Sequence, residues 1–276
     1  METLLSLLSA TLPLSYGLAA VNYQVYFVRE DEFAQRTATR FLFSIFVVHG
    51  AFLLLRAIHL GRPPALGLSS MLTVMAIAVT GVYLYVEKLQ RNKFTGAFIV
   101  PMVVVLQLFA SALSGQPESL PASDLMSSPL FGMHMMVAVL GYTAFAVSAV
   151  YALMYLLMYR ALKRKKFGLI FDRLPSLDEL ANMGFWASFL GWIFLSATIG
   201  LGVLMSLQAF PDFYTDPKFL ATTVVWVVYG GVVLAHFALG WRGARSVYIS
   251  LAGFAFAVFA IVGSELIWKT FHAFDA

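Results

Sequence analysis

The chain contains no cysteine, which excludes disulfides, thiol catalysis, cysteine-ligated clusters and thioether attachment of a cofactor to its own side chains. Charge is scarce as well. Asp, Glu, Lys and Arg make up 12% of the 276 residues against 61% apolar residues, too few to cover a water-soluble domain of this size. There is no basic start either: Arg29 is the first Lys or Arg, so the leading apolar run lacks the positive n-region of a secretory signal. The surplus of 18 basic over 14 acidic residues sits in short loops between apolar runs. That placement speaks for membrane topology and against nucleic-acid binding.

What is present is a succession of eight apolar segments, at about 3–28, 41–60, 68–86, 96–114, 131–159, 185–209, 219–239 and 247–268. Each is near the length that a helix needs to cross a hydrocarbon core. All of the 18 Lys and Arg residues except Arg56, Arg62, Lys218 and Lys269 fall between segments one and two, three and four, five and six, or seven and eight. The positive-inside bias therefore puts those loops in the cytoplasm and both termini on the outer side. The expected fold is all-α: one polytopic membrane bundle of eight helices over residues 1–276.

Segment five is the longest. Phe131 to Tyr159 carries no full charge, begins near His134 and runs into Arg160, Lys163, Arg164, Lys165 and Lys166, which puts His134 at the outer end. The inner loop 161–184 offers Ser176 with Glu179 three residues on, a capping-box pattern expected to start a short surface helix. The outer loop 115–130 is rich in Pro, Ser and Gly and reads as an irregular linker. The aromatics are expected mostly at the lipid face and in interfacial belts.

Titratable groups inside membrane segments are costly and usually face the protein interior. His49, Arg56 and His59 of segment two lie within about 80° of one another on a helix. His236 lies near the inner end of segment seven, Glu265 in the last turns of segment eight and His272 just beyond. By depth, His134, His272 and His59 belong to the outer face, and His49 and His236 to the inner half. Paired neutral imidazoles without carboxylate neighbours suit the two axial positions of a haem iron better than a hard cation or a catalytic zinc. Arg56 is suited either to a haem propionate or to an ion pair with Glu265. The plainer alternative, a membrane histidine that only hydrogen-bonds a neighbouring helix, stands beside this for each residue, and most of all for His59.

The stretches HGAFLLLRAIHLGRPP, HMMVAVLGYTAFAVSAVYALMYLLMYRALKRKK, RLPSLDEL, TDPK and VYGGVVLAHFALGWRG resemble the CcsA/CcmC/HemX superfamily of cytochrome c assembly proteins. The resemblance covers about residues 41–276, and the LGY, LKRKK, RLPSLDEL and GWRG elements point to its HemX/YpjD branch. It implies that His134 and His272 correspond to two external haem ligands, and His236 to a membrane histidine; His49 is the second ligand that a deeper haem would need. The haem-presenting members carry a tryptophan-rich loop ending in a WDPK-like sequence. Here Asp216, Pro217 and Lys218 are kept, but no tryptophan occurs between Trp192 and Trp226, so that platform is absent.

Together these readings predict a multi-pass protein of the bacterial inner membrane, surrounded by lipid. It would bind one or two haem b groups through His134 with His272, and His49 with His236, with Arg56 at a propionate. No enzymatic activity is expected, because bis-His ligation leaves no open iron position. The competing expectation is a membrane chaperone or regulatory subunit of tetrapyrrole metabolism, docking another membrane protein through loop 161–184 without moving haem.

Overall fold

The computed structural model of the protein describes residues 2–60, 67–114, 128–165, 167–209 and 213–266. They form helices α1 (Glu2–Arg29), α2 (Glu32–Leu60), α3 (Leu68–Gln90), α4 (Gly96–Leu113), α5 (Pro129–Lys163), α6 (Leu169–Arg173), α7 (Leu177–Ala209), α8 (Pro217–Leu239) and α9 (Ala244–Leu266), with a 3-10 turn at Phe213–Thr215 before α8. All but the short α6 are long and apolar enough to cross a membrane. No strand occurs among the described residues. Lipid supplies no hydrogen-bond partners, so runs of this length must bond within themselves, and helices do. The chain is a multi-pass, all-helical membrane protein.

Several helices reach past the apolar runs. α2 starts at Glu32, not near 41, because a polar first stretch still propagates helix: the Asp31 carboxylate accepts from Ala34 N–H at 2.8 Å, and Arg36 pairs with Glu32 one turn apart at 3.0 Å. The Ser176/Glu179 capping box forms. The Glu179 amide meets Ser176 Oγ at 3.3 Å and the Ser176 amide donates to the Glu179 carboxylate at 2.9 Å. It opens α7, a spanning helix, and not a short surface helix. The short helix is α6, just upstream.

The helices group into two compact units. The first comprises Met1–Pro117 with Arg160–Leu174 and contains α1 to α4 and α6. Its centre holds Leu12, Tyr16, Tyr23, Leu42, Tyr83 and Ile99, all essentially inaccessible; these tyrosines are core and not part of a lipid-facing belt. Pro13 has no N–H for the Ser9 carbonyl, and Ser111 of α4 donates to that oxygen instead, at 2.9 Å. At the far end of α4 the Ser114 amide bonds back to Ser111, and Ser69 of α3 takes up the Ala110 carbonyl at 2.8 Å. Arg173 docks α6 here, with Glu30 at 3.1 Å and the Phe27 and Phe94 rings under its guanidinium.

The second unit comprises Glu118–Tyr159 with Pro175–Ala276 and contains α5 up to Tyr159, α7, α8 and α9. Phe145 of α5 stacks on Tyr229 of α8 with ring centroids 3.8 Å apart. α8 is capped at both ends. The Asp216 carboxylate accepts from the Lys218 and Phe219 amides at 2.7 and 3.2 Å, Pro217 takes the first helical position, and Gly240 (φ 63°) ends the helix in the left-handed region. The Asp-Pro-Lys sequence is thus, locally, a helix start.

Candidate functional site

His134 is positioned by a seam of small residues. On α5, His134, Gly141 and Ser148 follow one another at seven-residue steps. On α7, Gly184, Ser188, Gly191, Leu195, Thr198 and Gly202 follow at three- and four-residue steps, so both sets form single faces. A Cβ on Gly141 would stand 3.4 Å from the Gly191 carbonyl oxygen, and one on Gly191 would stand 3.1 Å from the Gly141 carbonyl oxygen. The backbones touch, as small-residue crossings in membranes allow. Ser148 donates to the Gly184 carbonyl at 2.8 Å and sits 2.7 Å from the Ser188 hydroxyl.

At the other end of the seam the half-buried His134 has Nδ1 3.1 Å from the Thr198 carbonyl oxygen. A carbonyl only accepts, so Nδ1 carries the hydrogen and the lone pair of the neutral ring is at Nε2. A Cβ on Gly202 would come within 3.1 Å of His134 Cε1; the ring occupies the groove that Gly202 leaves in α7.

His236 lies at the opposite end of the same unit. Its Nδ1 donates to the Trp241 carbonyl at 3.1 Å, and its ring stacks on Phe185, centroids 3.5 Å apart and planes 14° from parallel. It lines a cavity of about 500 Å³ together with Ser148, Asp178, Phe185, Arg242 and Ser246. The Ser246 Oγ is buried without a hydrogen-bond partner among the described residues. Phe185, beside His236, and Thr198, beside His134, are thirteen residues apart on α7, about 20 Å at the helical rise. The two described histidines of this unit therefore lie at different levels along α7.

His49 belongs to the first unit and is wholly buried. Its Nδ1 is 3.0 Å from the Tyr16 hydroxyl and its Nε2 3.0 Å from the Thr73 hydroxyl. Thr73 in turn donates to Gln107 Oε1 at 2.9 Å. With the Thr73 hydrogen directed at Gln107, Nε2–H of His49 donates to Thr73 and Tyr16 donates to Nδ1. Four helices meet in this chain, and both ring nitrogens are engaged in it. Coordination of a metal by His49 requires giving up one of these bonds.

Arg56 is half-buried two turns further along α2, and His59 is exposed. His272 lies outside the described residues, as does the side chain of Glu265. Among the described residues no three His, Asp or Glu side chains converge as a metal cage. A haem iron needs no such cluster, only one imidazole on each axial side, and the tautomers of His134 and His236 are those of an Nε2 ligand whose Nδ1–H is anchored by a backbone carbonyl.

Sequence reasoning missed Tyr16, Thr73 and Gln107. It also missed Glu87, which it left in a loop by ending segment three at 86. α3 continues to Gln90, and Glu87 is buried (3% exposed), accepting from Tyr23 at 2.6 Å and from Thr39. Gln107, a lone amide in an apolar segment, was the signal available.

The sequence profile of the family described as Cytochrome C assembly protein matches residues 65–272. Protein HemX of Brevibacillus brevis is 25% identical over 93% of this chain and 94% of its own length. Inner membrane protein YpjD of Escherichia coli (strain K12) is 27% identical over 64% of this chain and 66% of its own. Among solved structures, Cytochrome c Heme Lyase CcmF shares the fold with a TM-score of 0.65 at 17% identity, over 95% of this chain. This chain spans half the length of that one. The neighbour overturns the expectation of a protein without enzymatic activity, since this architecture occurs in a protein named as a lyase. The physical reason is that chemistry on a bound cofactor requires no nucleophile from the chain that holds it. The lack of cysteine therefore does not argue against it.

Proposed function

The chain belongs to the cytochrome c assembly protein family, and from that premise we propose that it captures and positions haem b in the bacterial inner membrane, with both termini outside. Its work is the binding step that a haem carrier and a haem lyase share. The observation that carries this reading is the Nδ1–H of His134 donating to the Thr198 carbonyl at 3.1 Å, which keeps the ring in the tautomer that an Nε2 ligand needs.

In this reading His134 would hold a haem near the outer end of the second unit, with His272 as the second holding residue. When bound, the haem brings the redox chemistry of its iron and the reactivity of its periphery. The chain's own residues bind, orient and shield. Thr198 and Gly202 aim the imidazole, and the Gly141/Gly191 contact keeps α5 and α7 close enough for that aim to hold. His236, anchored in the same manner at the inner end, is the ligand candidate for a second haem, whereas His49 and Arg56 belong to the first unit.

The experiment is an absorption spectrum of the purified protein, oxidised and reduced, with and without added haem. His134→Ala is expected to remove the outer haem while His236→Ala leaves it in place. A wild-type protein that shows no haem band when haem is supplied, or an unchanged haem content in His134→Ala, would reject the assignment.

A further inference from the structure

At one end of the first unit, α2, the last turns of α3 and the α3–α4 connection line an open cavity of about 1070 Å³. Five cationic residues line it: Arg36, Arg40, Lys88, Arg91 and Lys93. Below them its wall is apolar, with Phe43, Phe46, Leu84 and Tyr85, and Phe43 and Tyr85 are 56% and 68% exposed on the side where lipid would lie. We propose that this cavity binds an anionic phospholipid, its phosphate held between the cationic side chains and an acyl chain lying along Phe43 and Tyr85.

A positive-inside bias explains cations on one side of a membrane but not their convergence on one concavity. Here the chain is bent to bring them together. Arg91 ends α3 in the left-handed region (φ 57°), its amide bonded to the Glu87 carbonyl at 2.8 Å, and this turns the connection back over the helix end. Lys93 then ties that connection to α2 by donating to the Gln35 carbonyl at 2.6 Å. Gly81 lets the Phe46 ring of the wall pack against α3, because a Cβ there would stand 3.0 Å from it.

Two carboxylates face the site, and neither cancels it. Glu32 pairs with Arg36 at the exposed rim. Glu87 lines the cavity as well, but it is buried and its oxygens accept from Tyr23 and Thr39. Five cations against these two carboxylates leave three positive charges in surplus. A headgroup phosphate complements that charge, and only a lipid also complements the apolar wall beneath it; basic pockets between membrane helices at the cytoplasmic face recognise anionic lipid in this manner. The loops counted as cytoplasmic include both segments that bear these cations, which is the leaflet side where anionic lipid meets them.

The test uses the full-length protein purified in detergent and mixed with phosphatidylglycerol or phosphatidylcholine, with retained lipid counted by native mass spectrometry. Phosphatidylglycerol is expected to be retained at least tenfold over phosphatidylcholine. The Arg40→Gln/Lys88→Gln double variant, which alters exposed side chains only, should lose most of that preference, whereas Arg164→Gln/Lys165→Gln, an equal charge change elsewhere, should keep it. Inorganic phosphate and glycerol-3-phosphate at millimolar concentration form the free-anion arm and should not displace the lipid. Equal loss in both variants means diffuse attraction and overturns the proposal. So does displacement by inorganic phosphate, or the absence of any preference in the wild type.

Discussion

The side-chain amide of Gln24 in α1 donates to the backbone carbonyl of Ala97 in α4 at 2.6 Å, because the residue that would normally do so, four positions on, is Pro101. Proline has no N–H, so the buried Ala97 would otherwise keep a bare carbonyl. The pairing is the mirror of Ser111 donating to the Ser9 carbonyl freed by Pro13. The α1–α4 contact is held from both sides by a proline in one helix and a polar side chain in the other.

This relationship predicts strong coupling between Gln24 and Pro101. Gln24→Leu should lower stability by about 1–3 kcal/mol, the cost of stranding a buried acceptor. In a Pro101→Ala background the helix satisfies its own carbonyl, so the same substitution should cost much less. A double-mutant cycle read by thermal unfolding in detergent checks it; additive effects would mean that Gln24 acts elsewhere.

Two glycines of α7 should respond to alanine in opposite directions. A Cβ at Gly191 meets the Gly141 carbonyl oxygen and the Phe145 ring, whereas a Cβ at Gly200 meets nothing within 4 Å. Gly200→Ala should stabilise by about 0.5–1 kcal/mol through the helical preference of alanine. Gly191→Ala should lose about 1–3 kcal/mol by forcing the α5–α7 crossing apart. The melting temperatures of the two variants, measured side by side, decide it.

The eight spans were legible in the sequence because a run of some twenty apolar residues has few other solutions. Their polar extensions were not. Hydropathy does not register the helical turns from Glu32 to Arg40, whose support is a cap and an i,i+4 pair. Glu87 looked like a loop residue because a buried carboxylate is only tolerable with donors, and its donors, Tyr23 and Thr39, come from other helices. The same holds for His49. Its depth could be read from its place in segment two, but Tyr16, Thr73 and Gln107 converge on it from three helices, and one sequence alone does not state which helices touch. The capping box at Ser176 was recognised because it is local; the length of the helix it opens was not.

Gly202→Ala separates the aim of His134 from the stability of the fold. The added methyl would stand 3.1 Å from His134 Cε1, tight enough to push the ring off the Thr198 carbonyl. Alanine is otherwise favoured at an interior helical position. Thermal stability without haem should therefore hold or rise, while haem content of the outer site falls several-fold. Titration of the purified variant with haem, followed by its absorption, checks this. Undiminished haem uptake would mean that Gly202 does not govern the ligand.

His49 offers the sharpest distinction between a support and a ligand. It is fully buried, and its loss would leave the Tyr16 and Thr73 hydroxyls without their shared partner. His49→Phe should cost about 1–3 kcal/mol even in protein stripped of haem. His49→Gln, which can still donate and accept, should recover part of that. The unfolding of haem-free samples reads the supporting role, and the haem content of reconstituted samples reads ligation. If His49→Phe unfolds like the wild type when haem-free yet takes up less haem, His49 is a ligand held in reserve by its neighbours. A loss of haem-free stability with unaltered haem uptake instead makes the Tyr16–His49–Thr73–Gln107 chain a polar clamp across the first unit.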